Sequence, residues 1–292
     1  VFLNVKIDKL YLPKELKYLG KYTISNMYLI GSDETLPKRV GFIEVEEGNE
    51  NFVSDGNGLY SIVGGKKKLI RLFNENLTTY VAPDDVIFFE SNCFSTCVAL
   101  KNIILPDGVV TFDESALVYD TQVEEIFLPK TVKHIYTRTL FGIDTQRNRV
   151  AYRVDEESNY LFRDEDSIYE VLEDGTYKLV LCFYTGKGEI QILDGTSVIG
   201  AEAFKRHKNI TQIEFPQTLR VIEREAFAET GLESLVIHKH IRRIESRAFF
   251  NCGDLKSVKL SSDLEHIAKD TFQACRKLQK IDSEGEKNIF FY

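Results

Sequence analysis

Bulky apolar residues recur down this chain at a nearly constant step, and no other feature of the sequence limits the fold so narrowly. Phe94, Leu117 and Leu140 stand 23 residues apart, and Phe204, Phe227, Phe249 and Phe272 follow at steps of 23, 22 and 23. A second column, Leu77, Leu100 and Val123, then Ile210, Leu232, Leu255 and Leu278, keeps the same period, as do Pro83, Pro106 and Pro129. A compact globule has no reason to count. A stack of like supersecondary units does, because each unit buries its apolar edge only against the next.

The unit reads L-x-x-I-x-L-P-x-x-L-x-x-I-x-x-x-A-F-x-x-C, as in "LKNIILPDGVVTFDESALVYD" and "LKSVKLSSDLEHIAKDTFQAC". Its opening positions alternate as a short strand, and its A-F segment predicts one or two helical turns that carry the chain back. The expected fold is therefore α/β and β-rich, a leucine-rich repeat solenoid with strands on one face and short helical turns on the other. A fainter unit opens the chain from Ile7 to Ile24. Val45 to Phe73 and Val154 to Phe183 interrupt the count in the same manner, with Tyr60 matched to Tyr169 and Leu69 to Leu179. Each sets two alternating runs around a turn, Gly64-Gly65 in one and Glu173-Asp174-Gly175 in the other, which predicts an inserted β-hairpin. The expected organisation is one elongated solenoid over residues 1–292. It comprises two super-units, one spanning about 1–140 with a hairpin at 52–73, the other about 150–292 with a hairpin at 161–183.

At these residues the sequence resembles the BspA-like leucine-rich repeat family, whose units read L-x-x-I-x-I-P-x-x-V-x-x-I-G-x-x-A-F-x-x-C, often with inserted F-x-S-x-D-G-x-L-Y hairpins. The stretch "NFVSDGNGLYS" is similar to that insert, and the resemblance covers almost the whole chain. It implies a bacterial surface or secreted protein, with relatives in parasitic protists, several of them regarded as adhesins for host matrix proteins or other cells. The chain departs from the pattern after the second Ile, where the family's Gly is kept as Gly200 but replaced by Glu223, Glu245 and Ala268.

Composition removes several classes of function. With 43% hydrophobic and 28% charged residues, the chain is long enough and apolar enough to bury a core. A net charge of −8 argues against nucleic acid or anionic lipid as a partner, since both need clustered Lys and Arg. No stretch has the length and apolarity of a membrane-spanning helix, and Val1 to Gly20 lacks the uninterrupted apolar core of a signal peptide. A start at Val1 rather than Met fits a chain trimmed of a leader, which is compatible with export without requiring it.

Cys97, Cys252 and Cys275 each stand three positions after the repeat aromatic and so share one slot. Stacking at about 4.8 Å would bring the last two within disulfide range, yet stacked side chains point the same way; buried thiols are expected, with a bridge left open. Cys93 and Cys97 have no second pair nearby to complete a zinc site, and an odd total of five argues against a full disulfide framework. Of His134, His207, His238, His240 and His266, only the "HKH" of His238 and His240 hints at metal, and His238 falls in the Pro slot, an exposed turn by the template. Asp84-Asp85, Glu124-Glu125 and Asp164-Glu165-Asp166 sit at turns or a hairpin edge and lack the twelve-residue calcium loop pattern. The basic run with Arg242, Arg243 and Arg247 surrounds the core positions Ile241 and Ile244, a polar outer face. Gly64-Gly65-Lys66-Lys67-Lys68 lacks the phosphate-loop spacing, while Asn76-Leu77-Thr78 and Asn209-Ile210-Thr211 fit the glycosylation sequon. No metal, cofactor or catalytic residue is expected.

What remains is the strand face, where alternate residues point outward and line up from unit to unit. Its predicted outer column reads Tyr11, Val81, Ile104, Phe127, then Gln191, Glu214, Val236, Lys259 and Asp282, apolar in the first half and mostly polar in the second. Val81, Ile104 and Phe127, flanked by Thr79, Asn102 and Glu125 and extended by Tyr11, form the candidate partner-binding strip. The competing explanation is strand propensity, or cover by a folded-over hairpin. The functional expectation is a non-enzymatic binding or adhesion module, secreted or at the cell surface, for a protein or glycan. An intracellular scaffold is the alternative, favoured by the reduced thiols. Enzymatic activity would require His, carboxylate and nucleophile grouped in a cleft beside a hairpin.

Overall fold

In the computed structural model the described residues are 9–20, 23–24, 29–30, 37–38, 42–74, 76–94, 97, 99–110, 112, 123–135 and 151–283. The column members Leu117 and Leu140 and the start of the opening unit at Ile7 lie outside them. The chain divides into two units, Val1–Ser158 and Asn159–Tyr292.

In the first unit the L-x-x-I-x-L runs become the strands Thr79–Val81, Asn102–Ile104 and Glu125–Leu128, which with Ala151–Val154 form a four-stranded sheet. Every neighbouring pair is parallel and in register, so Tyr80, Ile103, Ile126 and Tyr152 align on the inner side, where all are buried. Parallel pairing follows from the repeat itself, since each strand is entered from the same side after one full circuit of the chain. Leu10–Leu12 pairs parallel with Ile43–Val45 as a separate two-stranded sheet.

The second unit builds the same kind of sheet in two pieces. Gly188–Gln191 pairs with Ile210–Glu214, and Ser234–Val236 pairs with Ser257–Leu260 and then Lys280–Ser283. The ladder breaks between Ile210–Glu214 and Ser234–Val236. That is where the count shortens from 23 to 22: five residues lead from Phe227 to Leu232, against six from Phe204 to Ile210 and from Phe249 to Leu255.

Each unit also has a second sheet, which the sequence reading did not anticipate. In the second unit the L-x-x-I segments form Thr196–Ile199, Val221–Ile222, Arg243–Ile244 and His266–Ile267, parallel and continuous. The hairpins merge into these sheets. Leu161–Arg163, Ser167–Val171 and Tyr177–Cys182 are antiparallel, and Tyr177–Cys182 then pairs parallel with Thr196–Ile199. In the first unit Phe52–Ser54, Gly58–Val63 and Lys66–Leu72 do likewise, ending on Val86–Phe89. The "D-G-N-G-L-Y" insert explains the tight turn: Asp55 Oδ1 accepts the Asn57 and Gly58 N–H groups at 2.9 and 2.8 Å, and Tyr60 OH donates to Asp55 Oδ2 at 2.7 Å. Asp164 repeats this, accepting from Asp166 and Ser167 at 2.9 and 2.7 Å.

The expected helical turns are absent among the described residues, which are strand, turn and loop with no helix. The fold is a β-solenoid of the leucine-rich repeat kind rather than α/β. Around Phe204 and Phe227, alternate N–H groups leave the turn for the next repeat: Glu202, Phe204 and Arg206 donate to the carbonyls of Arg224, Ala226 and Ala228 at 2.8–3.0 Å. The alternating residues Ala203, Lys205 and His207 donate three positions back within the turn. A helix needs every N–H to bond four back, so the two patterns exclude each other. Left-handed residues complete the break: φ is 61°, 54° and 56° at Glu202, Glu225 and Arg247, two before the Phe, and 68°, 61°, 53° and 65° at Arg206, Glu229, Asn251 and Ala274, two after it. Each such non-glycine costs about 1 kcal/mol or more, which the bonds between repeats offset. Segments such as "EREAFAE" are good helix formers, and here stacking overrides propensity.

The Phe column is a ladder of parallel rings. Phe204–Phe227, Phe227–Phe249 and Phe249–Phe272 have centroids 4.7, 5.2 and 5.6 Å apart and planes within 10°, 4° and 19°. Beside it lies a charged network, because the left-handed Glu202 and Glu225 are only 3% and 6% exposed. Lys205 reaches Glu225 at 2.6 Å and Glu202 at 3.2 Å, and Arg224 bridges both at 3.0 Å. Burial alone would raise the Glu225 pKa, but the Lys205 hydrogen bond and the charges of Lys205, Arg224 and Arg247 outweigh it and hold the carboxyl below its ordinary value.

Candidate partner-binding surface

The outward row of the first unit's four-stranded sheet pairs Val81 with Ile104, Ile104 with Phe127 and Phe127 with Arg153. Val81 and Ile104 are 63% and 44% exposed, and Phe127 is half-buried. Thr79, Asn102 and Glu125 form the next outward row, two residues earlier on each strand, with Asn102 Nδ2 donating to Thr79 Oγ1 at 3.3 Å. These six predicted residues therefore share one face. The hairpin of the same unit extends the second sheet and is not paired over this row.

Tyr11 is not part of that sheet. It is 51% exposed on Leu10–Leu12, opposite Glu44, so the structure separates it from the other six. Arg153 is the residue that counting missed. It closes the apolar row with a cation and crosses to the neighbouring row, its Nη1 at 3.2 Å from Glu125 Oε1. It stands 26 residues after Phe127, off the 23-residue period. The available signal was the alternating "AYRV" just before the second hairpin, matched by "FIEV" before the first.

In the second unit the outer column is mostly polar. Gln191 faces Glu214, and Val236, 60% exposed, faces Lys259, which faces Asp282. Near its hairpin lies an open groove of about 530 Å³, lined by Asp164, Leu193, Asp194, Glu214, Phe215 and Pro216 among others. Its lining offers carboxylates, amides and apolar surface, with neither a histidine nor a hydroxyl or thiol nucleophile.

The slot three after each aromatic does a backbone job. The thiols of Cys97, Cys252 and Cys275 donate to the carbonyls of Leu72, Phe227 and Phe249 at 3.4, 3.1 and 3.0 Å, tying each repeat to the one before. The neighbouring Cys275 and burial push the Cys252 thiol up in pKa, and the neighbouring Cys252 pushes Cys275 down. His238 corrects the sequence reading: it is half-buried rather than an exposed turn, its Nε2 at 3.1 Å from the Pro216 carbonyl while Nδ1 accepts the His240 N–H at 3.2 Å. That pattern admits only the neutral ring.

Burial lowers the pKa of His207, and burial together with the charges of His240 and Arg220 lowers that of His238, hydrogen bonds to carbonyls opposing in both cases. Both folded values lie below the unfolded one of about 6.5. Their stabilisation is therefore complete above that pH and lost as pH falls through the folded values. Denaturant midpoints of the whole chain should decline from neutral pH toward about pH 5, and His207→Gln/His238→Gln should flatten the decline. An unchanged slope would contradict the assignment.

A family model described as BspA type leucine rich repeat region matches six copies over residues 72–169 and 182–290. No curated protein matches the chain significantly. Among solved structures, a leucine-rich cell surface protein of Faecalibacterium prausnitzii aligns at 20% identity and a TM-score of 0.60, over 96% of this chain and 79% of its own. A leucine-rich repeat protein of Eubacterium ventriosum aligns at 16% identity and 0.56, over 94% and 80%. The pneumococcal vaccine antigen PcpA aligns at 15% identity and 0.55, over 96% and 74%. At these identities the likeness is one of fold.

Proposed function

We propose, because this chain belongs to the BspA type leucine-rich repeat family, that it is a non-enzymatic protein-binding module which works at the cell surface or after secretion. The observation that carries this reading is the registered row Val81–Ile104–Phe127, apolar and open in a chain whose second unit presents the mostly polar series Gln191, Glu214, Val236, Lys259 and Asp282 at the corresponding places. Apolar residues fixed at strand spacing make a continuous patch, and such patches are where partners lose water. The patch favours a protein ligand over a glycan, which would be held mainly through polar hydrogen bonds. Its polar margin, Thr79, Asn102 and the Glu125–Arg153 pair, would set orientation rather than affinity. The surface location is supported by the family and by the Faecalibacterium neighbour, a cell surface protein.

The test uses purified chain on immobilised extracellular-matrix proteins and on whole host cells. Ile104→Lys/Phe127→Lys should weaken any saturable binding about tenfold or more, as loss of a buried anchor does. Val236→Lys, on the polar column, should leave it unchanged. Equal binding by the double variant, folded by circular dichroism, would remove the strip from consideration.

A further inference from the structure

We propose that Asn76 is an acceptor for an N-linked glycan and that Asn209, in the second copy of the same signature, is not. Asn-x-Thr occurs twice, at residues 76–78 and 209–211, the first just before the first-sheet strand Thr79–Val81 and the second overlapping the start of Ile210–Glu214. Both asparagines stand one residue before the repeat's column position, Leu77 or Ile210, so the surroundings of the carboxamide decide between them.

Asn209 is committed. It is half-buried, and its Nδ2 donates to the carbonyls of Tyr184 and Gly186 at 3.2 and 2.5 Å, holding the preceding repeat's connection in place. Glycosylation replaces one Nδ2–H by a bond to a sugar carbon. At Asn209 that change removes one of those two bonds and drives a sugar ring toward the Tyr184–Gly186 segment.

Asn76 is exposed, and so is Thr78. Its main-chain N–H is held by Asn74 Oδ1 at 3.1 Å, and Asn74 is fixed in turn by its Nδ2 on Asn57 Oδ1 at 2.7 Å. The turn is thus anchored by its backbone while the Asn76 carboxamide has no hydrogen-bond partner among the described residues. In the transfer, Nδ2 attacks the anomeric carbon of a polyprenyl-pyrophosphate-linked oligosaccharide. The carbon–oxygen bond breaks, polyprenyl pyrophosphate leaves with its electron pair, and the amide proton passes to a basic group of the transferase.

The position has a consequence for the binding face. Among the described residues Thr79–Val81 is an end strand of the four-stranded sheet, so a glycan three residues earlier stands beside a sheet edge that would otherwise template pairing with another chain. Ile104 and Phe127 lie one and two strands further in, about 5 and 10 Å away, and stay open. The assignment is independent of the strip: failure of the lysine variant to alter binding leaves Asn76 untouched, and the converse holds.

The experiment secretes the full chain from yeast or insect cells behind a signal peptide and maps sites by glycosidase treatment in heavy-oxygen water with mass spectrometry. Asn76 should be occupied. Asn76→Gln and Thr78→Ala should each abolish the whole glycosidase-sensitive shift, and Asn209→Gln should leave it intact. Secreted wild-type chain unmodified at Asn76, or carrying its glycan at Asn209, would overturn the proposal without recourse to any variant.

Discussion

Phe227→Ala is expected to destabilise the second unit by about 4 kcal/mol, the range for deleting a large aromatic from a core that cannot close over the gap. Phe227 is fully buried, with one ring stacked on each side at 4.7 and 5.2 Å and Phe215 edge-on at 5.8 Å. Collapse is blocked because its backbone is pinned: its N–H donates to the Ala248 carbonyl at 2.7 Å, and its own carbonyl takes the Cys252 thiol at 3.1 Å. In a repeat stack the loss also uncouples neighbours, so the urea transition should broaden as well as shift. Phe272→Ala, in the last described repeat and only half-buried, should lose less than half as much. Equal losses at the two sites would contradict a ladder with an interior and an end.

The second large effect is predicted at Gly231. The 22-residue repeat omits one residue between the slot at Thr230 and the column residue Leu232, and the shortened connection presses against the preceding repeat. A Cβ on Gly231 would lie 2.2 Å from the Lys208 carbonyl oxygen and 3.1 Å from that of Ile210, both backbone atoms that cannot swing aside. Gly231→Ala should therefore cost about 3 kcal/mol or more. Gly253, one repeat on and with the full count restored, would meet nothing within 4 Å, so Gly253→Ala should stay within about 0.5 kcal/mol. If both alanines prove harmless, the shortened connection is not where the count places it.

These two predictions mark what could be read in the residues and what could not. Phe204 to Phe272 and Ile210 to Leu278 announced the stack because ladder partners must be chemically alike, and a constant period is the imprint of that demand. The same alikeness gave the outer column its register, down to Val81, Ile104 and Phe127. Helical turns were misjudged because "EREAFAE" is locally helical, and only contact with the next repeat sends its N–H groups elsewhere. The second sheet was invisible because Val221–Ile222, Arg243–Ile244 and His266–Ile267 are two residues long, too short for any alternation to register. Arg153 escaped because it follows an irregular repeat, although it pairs with Phe127 as faithfully as Ile104 does. His238 shows the limit of a template: occupying a turn slot does not make a side chain exposed when the adjacent repeat offers it a carbonyl.

The binding face exists only if successive repeats present their outer residues side by side. Nitroxide labels on Val81→Cys and Phe127→Cys, each two strands from the other, test this in solution, with the native cysteines replaced by serine or alanine and the fold checked. Register places the labelled positions about 10 Å apart, so the doubly labelled chain should give strong dipolar broadening that neither single label shows. A double-label spectrum equal to the sum of the two singles would contradict the stacked arrangement, and with it the strip.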